Sequence, residues 1–252
     1  MLRPKATRHI FFIRHGESVH HVTGMTGGWT DTPLTDAGAR QIKGTAGALQ
    51  RLASGWPIIT SDLQRTAQSA AIIGRAIGSE PVAEPMLREI NNGMATGLTQ
   101  VEADASARPA PAEFDSHWAA YDDAESYAAL STRMAMALDA LGHERLIVVG
   151  HGVSGTTLLQ TWLGLDPLPL ALRLGPASLS ELRVTEWNER QLVQLNVIDG
   201  PSTLGLASSR LRIQTAGNGG SGGRVVSSSS NSLAACRRST RRGRRPACRA
   251  IP

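Results

Sequence analysis

The first 200 residues contain no cysteine, because both cysteines of the 252-residue chain, Cys236 and Cys248, lie near its end. A main body without cysteine needs no disulfide and suits a reducing compartment, so we expect a cytoplasmic protein. The chain also lacks any apolar run close to the roughly 20 residues that span a bilayer. Its first apolar stretch, Ile10–Ile13, is too short for the core of a signal peptide. We therefore expect no association with a membrane.

Residues 201–252 contain no acidic residue and no lysine, but they contain ten arginines. Residues 1–200 hold 16 basic and all 21 acidic residues, a net charge of −5, so the overall charge of +5 comes from the last segment. The composition of residues 1–200 gives no reason to expect specific binding to nucleic acid. The last segment is rich in Gly, Ser and Arg and poor in large apolar residues, which predicts a disordered tail over 201–252.

Two interpretations of this tail remain open. An arginine-rich arm can bind nucleic acid or another acidic surface, although this arm has no aromatic residue. Its composition also resembles GC-rich DNA translated out of frame, which leads to the hypothesis of a frameshifted extension. Translating the other two reading frames beyond Val197 tests that hypothesis, because neither frame should continue acceptably if the extension is genuine.

The alternation of short apolar runs with helical patterns predicts one α/β domain over residues 1–200. We expect a three-layer α/β/α sandwich with a mostly parallel sheet and an antiparallel edge strand. Predicted strands lie at residues 9–13, 57–60, 81–83, 145–149, 179–185 and 191–197, and predicted helices at about 35–52, 62–78, 125–141 and 155–163. Ser61 and Asp62 are the predicted cap of the second helix, and a helical insert is predicted for about 100–123.

Two of the predicted strands end on a histidine beside a glycine, in IRHG at residues 13–16 and VGHG at residues 149–152. Ligands of open α/β sheets bind beyond the carboxyl ends of such strands. The sequence places a guanidinium group (Arg14), an imidazole (His15) and a glycine backbone that a ligand can approach closely (Gly16) side by side. This combination suits a phosphoryl group. A neutral imidazole attacks phosphorus without a metal. Taken alone, a histidine at a strand end is more often structural.

Phosphoryl transfer also needs a second cation, another donor and an acid for the leaving oxygen. Arg65 is predicted in the first turn of a helix, where an anion is favoured. Glu89 follows a short strand, and a nearby phosphate dianion would favour its protonated form. His151 would complete the phosphate clamp. Each of these residues taken alone is more simply interpreted as a solvated arginine, a loop acid or a structural histidine.

Four motifs together resemble the histidine phosphatase superfamily, which has the phosphoglycerate-mutase-like fold. They are IRHGES (13–18), SDLQRTAQSA (61–70), LREINNG with GLT (87–99) and VVGHG (148–152), and the resemblance covers about residues 8–198. DTPLTDAGARQ (31–41) is similar to the start of that family's first helix. The resemblance implies that His15 accepts the phosphoryl group and that Arg14, Arg65 and His151 hold it. It also implies that Glu89 protonates the leaving group, that water then hydrolyses the phosphohistidine, and that no metal or organic cofactor takes part.

The chain departs from the family pattern next to the first motif. His21 stands where many members have asparagine, Met25 where they often have arginine, and Gly27 where they have a polar side chain. The predicted substrate-binding residues are Gly16, His21, Gly27, Gly28 and Gly152. We expect no metal site at His20 and His21, because adjacent residues of one chain rarely face one ion.

The sequence also bears on the alternatives to a phosphatase. Residues 91–100 contain no Arg, Lys or Tyr, whereas the mutase branch has a basic, Tyr-containing stretch there, so hydrolysis is favoured over mutase-type transfer. A serine hydrolase elbow fails because Thr156 replaces the second glycine of Gly152-x-Ser154-x-Gly. A non-catalytic protein that binds a phospho-ligand remains the alternative from another class. The expected partner is a small phosphorylated substrate, or a phosphoprotein, and the oligomeric state stays open.

Overall fold

The structure, a computed structural model, describes residues 6–165 and 172–198, and the predicted tail over 201–252 lies outside them. The described residues contain six strands, six α-helices and two 3₁₀ helices, Pro85–Leu87 and Gly93–Ala95. The strands are β1 (Ala6–Arg14), β2 (Ile58–Thr60), β3 (Pro81–Ala83), β4 (Arg145–Gly150), β5 (Leu179–Thr185) and β6 (Arg190–Val197). The α-helices are α1 (Val19–Thr23), α2 (Asp36–Leu52), α3 (Gln64–Ile77), α4 (Gln100–Ser106), α5 (Tyr127–Ala140) and α6 (Val153–Trp162). In this part of the chain, no helix is long and apolar enough to cross a membrane.

The strands form one sheet in the order β3-β2-β4-β1-β5-β6. The first four strands of this order run parallel to one another. β5 pairs antiparallel with β1, and β6 pairs antiparallel with β5. The predicted mostly parallel sheet with an antiparallel edge is therefore confirmed. Arg14 of β1 pairs with Gly150 of β4, and Thr60 of β2 pairs with Val149 of β4. The residues that follow these strands therefore leave the sheet at one edge, where the predicted site lies.

Helices cover both faces of the sheet, as the alternating side chains of β1 demonstrate. Phe11 and Ile13 belong to a buried cluster with α2 and α3, whereas Ile10 and Phe12 belong to a cluster with α5 and α6. Full burial of each such side chain stabilises the fold by about 1.5–3 kcal/mol. The predicted three-layer α/β/α sandwich is confirmed.

The predicted cap of α3 is wrong. The N-cap residue is Leu63, and its side chain makes no capping hydrogen bond. Instead the backbone N–H of Gln64 donates to Oδ1 of Asp31, 2.8 Å away, which lies 33 residues earlier in the chain. Asp62 pairs with Arg88, and Ser61 turns into the site. A cap supplied by a distant loop leaves no local sequence signal.

The insert predicted as helical over residues 100–123 is helical only at its start. Thr99 and Glu102 form the predicted capping box of α4. The helix ends at Ser106, and residues 107–126 have no helix or strand. Pro109 and Pro111 follow, and proline disfavours helix both at its own position and at the residue before it.

The start of α2 packs directly on the backbone that follows β1. A Cβ atom on Gly16 would lie 2.5 Å from the carbonyl oxygen of Gly38, and a Cβ atom on Gly38 would lie 1.9 Å from the carbonyl oxygen of Glu17. Thr35, the N-cap of α2, donates its backbone N–H to the same Glu17 oxygen at 3.0 Å. Two glycines thus bring α2 close enough to fix the backbone beside His15.

We predict that Gly38→Ala lowers the free energy of unfolding by about 1–3 kcal/mol, because the added methyl group displaces packed backbone. Gly44→Ala is the matched control in the same helix, where a Cβ atom meets nothing within 4 Å. The control should raise stability by about 0.5–1 kcal/mol, since alanine is the better helix former. Urea denaturation measures both values. Changes of the same sign in the two variants would contradict this account.

Candidate active site

The register of β1 and β4 brings the two predicted histidines together at the edge of the sheet. His15 and His151 follow paired strand ends, and their ring centroids lie 5.2 Å apart with an interplanar angle of 66°. Both rings are buried, with 2% and 0% of the residue surface exposed. The sequence prediction that the two histidines share one site agrees with this placement.

One hydrogen bond fixes the tautomer of His15. Its Nδ1 lies 2.7 Å from the carbonyl oxygen of Gly16, which can only accept, so Nδ1 carries the proton of the neutral ring. The lone pair is then on Nε2. A buried neutral imidazole with a defined lone pair is the arrangement that a nitrogen nucleophile requires.

Arg65 is 1% exposed, and its guanidinium group donates hydrogen bonds to three groups from other parts of the chain. Its Nη1 donates to the carbonyl oxygen of Thr30 at 2.8 Å, its Nη2 to that of Gly28 at 2.7 Å, and its Nε to Nδ1 of His151 at 3.2 Å. A guanidinium group has five N–H donors, and these contacts use three. The fold thus holds one cation beside both histidines.

A chain of hydrogen bonds fixes the second histidine. Because Nδ1 of His151 accepts from Arg65, its Nε2 carries the proton and donates to Oγ of Ser61 at 2.7 Å. The Ser61 hydroxyl then donates to Oγ1 of Thr66 at 2.6 Å, and Thr66 donates to the carbonyl oxygen of Leu63 at 2.7 Å. Both ring nitrogens of His151 therefore have protein partners.

Arg14 and His21 face each other across the mouth of the site. Nδ1 of His21 accepts the backbone N–H of Ser18 at 3.1 Å, so the proton of the neutral ring lies on Nε2. That Nε2 lies 3.2 Å from Nη2 of Arg14, which is also a donor. The Nη1 of Arg14 donates to the carbonyl oxygen of Leu174, and its buried Nε has no hydrogen-bond partner among the described residues. An anionic oxygen is the group that would accept from these donors.

Burial and the two arginines keep the histidines neutral. Burial lowers the pKa of His15 well below 6.5, and the charges of Arg65 and Arg14 lower it further. Burial also lowers the pKa of His151 well below 6.5, and the charge of Arg65 is the second largest cause. The pKa of His20 falls to about 3, with burial as the largest cause. Burial lowers the pKa of Arg65 only to about 10, so its guanidinium stays charged at neutral pH.

Glu89 lies at the N-terminus of α6 and is 8% exposed. Its Oε2 accepts the backbone N–H groups of Gly152 at 3.0 Å and Val153 at 2.9 Å. Its Oε1 accepts those of Ser154 at 2.6 Å and Ile90 at 2.9 Å. The carboxylate thus occupies the anion site of this helix, which otherwise attracts a phosphate.

Two side chains hold the backbone of Glu89. Nε1 of Trp29 donates to its carbonyl oxygen at 2.8 Å, and Nη2 of Arg133 donates to the same oxygen at 3.1 Å. Arg133, on α5, also donates to the carbonyl oxygens of Met86 and Arg88 and forms a two-point ion pair with Glu125. These bonds fix the position of the Glu89 backbone relative to α5 and Trp29.

The predicted substrate-binding glycines have different surroundings. Gly27, Gly28 and Gly152 line a cavity of about 1000 Å³ together with Arg14, His20, His21 and Glu89. Gly28 has a φ of +58°, and a Cβ atom there would lie 2.2 Å from Oδ1 of Asn92. Gly16 does not line this cavity, because its N–H donates to Oγ of Ser69 at 3.3 Å and it packs on α2.

Sequence reasoning missed several residues of the site. The sequence predicts Ser61 only as a helix cap and does not single out Thr66, Trp29 or Arg133. His20 was considered only as a metal ligand, yet its ring lies 6.2 Å from that of His15 and lines the cavity. The described residues contain no group of three or more His, Cys, Asp or Glu side chains suited to a metal ion. Independence of metal stays a prediction.

Paired strand ends with two buried histidines, on a three-layer α/β/α fold, define the phosphoglycerate-mutase-like class of protein. Residues 10–198 match the model of the histidine phosphatase superfamily (branch 1), and the chain belongs to this family. It is accordingly an enzyme of the phosphatase and mutase type. The chain is 35% identical over 190 residues to the probable phosphoglycerate mutase GpmB of Yersinia enterocolitica, over 70% of this chain and 85% of that relative.

Solved structures share the fold. A mycobacterial glucosyl-3-phosphoglycerate phosphatase in complex with VO3 superposes with a TM-score of 0.65 at 25% identity, over 75% of this chain and 99% of that one. A putative alpha-ribazole-5'-P phosphatase of Escherichia coli has a TM-score of 0.65 at 21% identity, over 77% of this chain and 98% of that one, and shows the fold alone.

We predict that Ser61→Ala lowers the free energy of unfolding by about 1–3 kcal/mol, because the buried Nε2–H of His151 loses its acceptor. The variant should also shift the ¹⁵N resonances of the His151 ring, which report where its proton lies. Thr161→Val is the control, since that hydroxyl donates to the carbonyl oxygen of Thr157 on its own helix. Unchanged His151 resonances in Ser61→Ala would refute the proposed chain of hydrogen bonds.

We also predict that stability falls as the pH is lowered from 7.5 to 5. The folded-state pKa values of the buried histidines lie below the unfolded value of about 6.5, so the unfolded chain binds more protons below that pH. Each such histidine contributes a slope of up to about 1.4 kcal/mol per pH unit. His20→Asn should reduce the slope in urea denaturation, since the folded pKa of His20 is about 3. A slope unchanged in this variant would contradict the assignment.

Proposed function

We propose that the protein is a phosphomonoesterase that hydrolyses a phosphate ester through a phosphohistidine on Nε2 of His15. The observation that supports this most is the fixed tautomer of His15, a neutral ring whose lone pair is on Nε2 beside two arginines. The positive field of Arg14 and Arg65 favours a phosphate dianion at the same place. The resemblance to a phosphatase in complex with VO3 supports the same chemistry.

In the first step, Nε2 of His15 attacks phosphorus, the Nε2–P bond forms and the P–O bond of the ester breaks. The leaving oxygen takes a proton and departs as an alcohol. In the second step, water attacks phosphorus and gives a proton to the carboxylate of Glu89, the N–P bond breaks, and inorganic phosphate, a neutral imidazole and the protonated acid are formed. The protein mainly positions the groups and stabilises charge on the phosphoryl oxygens, as such a transfer requires. Neither step uses a metal or an organic cofactor.

The phosphoryl oxygens would accept from Nε of Arg14, from Nε2–H of His21 and from the remaining N–H groups of Arg65. Arg14 Nε has no other partner among the described residues, and the facing donors of Arg14 and His21 lie 3.2 Å apart. His151 contributes by orienting Arg65, because both of its ring nitrogens already have protein partners. Its role is thus indirect, whereas the sequence reasoning placed it in the clamp itself.

Glu89 is the proposed proton donor to the leaving oxygen, and its surroundings suggest how it would acquire the proton. Each of its oxygens accepts two backbone N–H groups, so protonation requires that one bond be given up. Gly152 lies beside Arg14, because a Cβ atom on Gly152 would be 3.5 Å from the guanidinium group of Arg14. A phosphoryl oxygen that accepts the Gly152 N–H would release a lone pair of Oε2 for the proton. Substrate binding would therefore prepare the acid.

Mutase-type transfer is the second candidate, because the curated relatives are called probable phosphoglycerate mutases. A mutase must retain and reorient a phosphorylated intermediate, which calls for cations that grip a second charged group. Residues 91–100 supply no Arg, Lys or Tyr for that purpose. This composition favours hydrolysis, and the likeness to glucosyl-3-phosphoglycerate phosphatase agrees with it.

We predict that His15→Ala lowers phosphate release from an aryl phosphate at least about 1000-fold, since the covalent route is lost. His143→Ala, which replaces an exposed histidine, is the matched control and should retain full activity. A chelator should leave wild-type activity unchanged. Acid quenching during turnover should trap an acid-labile phosphoryl group on wild type but not on His15→Ala.

Three outcomes would contradict the proposal in different ways. Turnover by His15→Ala equal to wild type would refute the nucleophile. Interconversion of 3-phosphoglycerate and 2-phosphoglycerate that is faster than phosphate release would establish the mutase. Binding of phosphate esters without any release or trapped phosphohistidine would establish a non-catalytic binding protein.

A further inference from the structure

The cavity that opens from the phosphate centre has two chemically different parts. Its inner end carries the charged and polar groups already described, including Arg14, His21 and Glu89. The rest of the lining, here called the outer wall, includes the apolar and aromatic side chains of Met25, Ile90, Phe114, Tyr127, Val153 and Leu172, together with polar ones such as Gln100 and Gln160. A leaving group attached to a phosphoryl group at the inner end must lie against this wall. Its chemistry therefore selects the substrate.

Two aromatic rings dominate the outer wall. Phe114 and Tyr127 have ring centroids 6.0 Å apart with an interplanar angle of 53°. Phe114 is 45% exposed and Tyr127 is 40% exposed, so each ring keeps a large surface that a ligand can cover. Burial raises the pKa of the Tyr127 hydroxyl, and the charge of Glu89 adds to the effect, so this ring stays neutral at neutral pH. Exposed neutral rings beside a cavity favour flat apolar groups.

The segment that carries Phe114 is fixed although it has no regular secondary structure. The backbone N–H of Arg108 donates to the carbonyl oxygen of Ala120 at 2.8 Å, which closes the segment. The N–H of Ala128 on α5 donates to the carbonyl oxygen of Ser116 at 2.8 Å, which docks the segment beside Tyr127. The aromatic wall is therefore built into the fold.

The outer wall offers little to a second charged group on the substrate. Among the described residues that line the cavity, Arg173 at the exposed rim is the only basic side chain besides Arg14. Glu89 at the inner end repels a carboxylate. The hydroxyl group of Thr157 donates to the carbonyl oxygen of Val153, and that of Thr156 lies within donating distance of the carbonyl oxygens of Leu172 at 2.7 Å and Gly152 at 3.0 Å. A substrate with a carboxylate, such as a phosphoglycerate, would find only Arg173 as a partner for that charge outside the phosphate centre, among the described lining residues.

The size of the cavity also argues for a large leaving group. Its volume of about 1000 Å³ lies at the upper end of the roughly 300–1000 Å³ found for pockets that enclose drug-sized ligands. A three-carbon acid would leave most of the apolar wall in contact with water, whereas a bulky apolar group would cover it.

We propose that the substrate is a phosphate monoester of a bulky, mainly apolar and uncharged alcohol or phenol with a flat portion that packs on Phe114 and Tyr127. This inference rests on the proposed function for the chemistry at His15, but the apolar subsite is a property of the outer wall alone. Its test therefore has a binding arm that needs no turnover and a kinetic arm that does.

In the binding arm, the affinities of two non-hydrolysable probes, 1-naphthylmethylphosphonate and 2-carboxyethylphosphonate, are measured by calorimetry. Wild type should bind the naphthyl probe at least about tenfold more tightly. Phe114→Ala should weaken binding of the naphthyl probe by about tenfold and change that of the carboxyethyl probe less than about twofold. Trp187→Ala removes an aromatic side chain that is 70% exposed and does not line the cavity, and it should alter neither affinity.

In the kinetic arm, kcat/KM is measured for 1-naphthyl phosphate and for 3-phosphoglycerate. Phe114→Ala should lower the ratio of the first value to the second by about tenfold, because kcat/KM for the naphthyl ester falls. Equal or tighter binding of the carboxyethyl probe, or equal effects of Phe114→Ala and Trp187→Ala, would overturn the apolar subsite. Tight naphthyl binding without hydrolysis of any ester would overturn the proposed function while the subsite stands. Hydrolysis without a preference for the naphthyl ester would overturn the substrate class alone.

Discussion

The buried guanidinium group of Arg65 is the constraint on which the site depends. It joins three segments of the chain, since it lies on α3 and donates to the 28–30 loop and to His151 beyond β4. Burying a charge is costly unless polar groups compensate it. Here two carbonyl dipoles and an imidazole do so, and no carboxylate of the described residues lies within ion-pair distance. The fold thus maintains a positive field that a phosphate dianion complements.

The same field sets the protonation of the histidines. Burial is the largest cause of the lowered pKa of His15, and Arg65 is the next. A protonated imidazole has no lone pair and could not attack phosphorus, so in the proposed mechanism the cation that would attract the phosphate also keeps His15 neutral. The arrangement has a cost in stability at acidic pH, because the unfolded chain binds the protons that the folded chain excludes.

Much of the fold and of the central site could be predicted from sequence, because the signals are local. Apolar runs that end on His15 and His151 predict neighbouring strand ends, and parallel register brings those ends together. The proton positions could not be predicted, because they depend on tertiary partners: Ser61 meets His151 across 90 residues. The true cap of α3, Asp31, is equally distant in sequence.

The outer wall illustrates a different kind of miss. The composition of residues 103–123, rich in Ala, Pro and Asp, leads to the prediction of a helical insert, although Pro109 and Pro111 are a local signal against helix. The irregular path that results is what places Phe114 beside Tyr127 at the cavity. Composition identified the segment as an insertion but did not indicate which of its side chains would face the site.

In the proposed mechanism, the junction of β4 and α6 belongs to the chemistry, and a separate part of the chain determines the choice of substrate. The side chain of His151 orients Arg65, while the next three backbone N–H groups hold the carboxylate of Glu89. One rigid turn therefore sets the position of the acid relative to the cation. The 107–126 segment and the start of α5 supply the aromatic rings of Phe114 and Tyr127 at the cavity. Changes in this aromatic wall can alter which ester binds while the tautomer and the field at His15 stay the same.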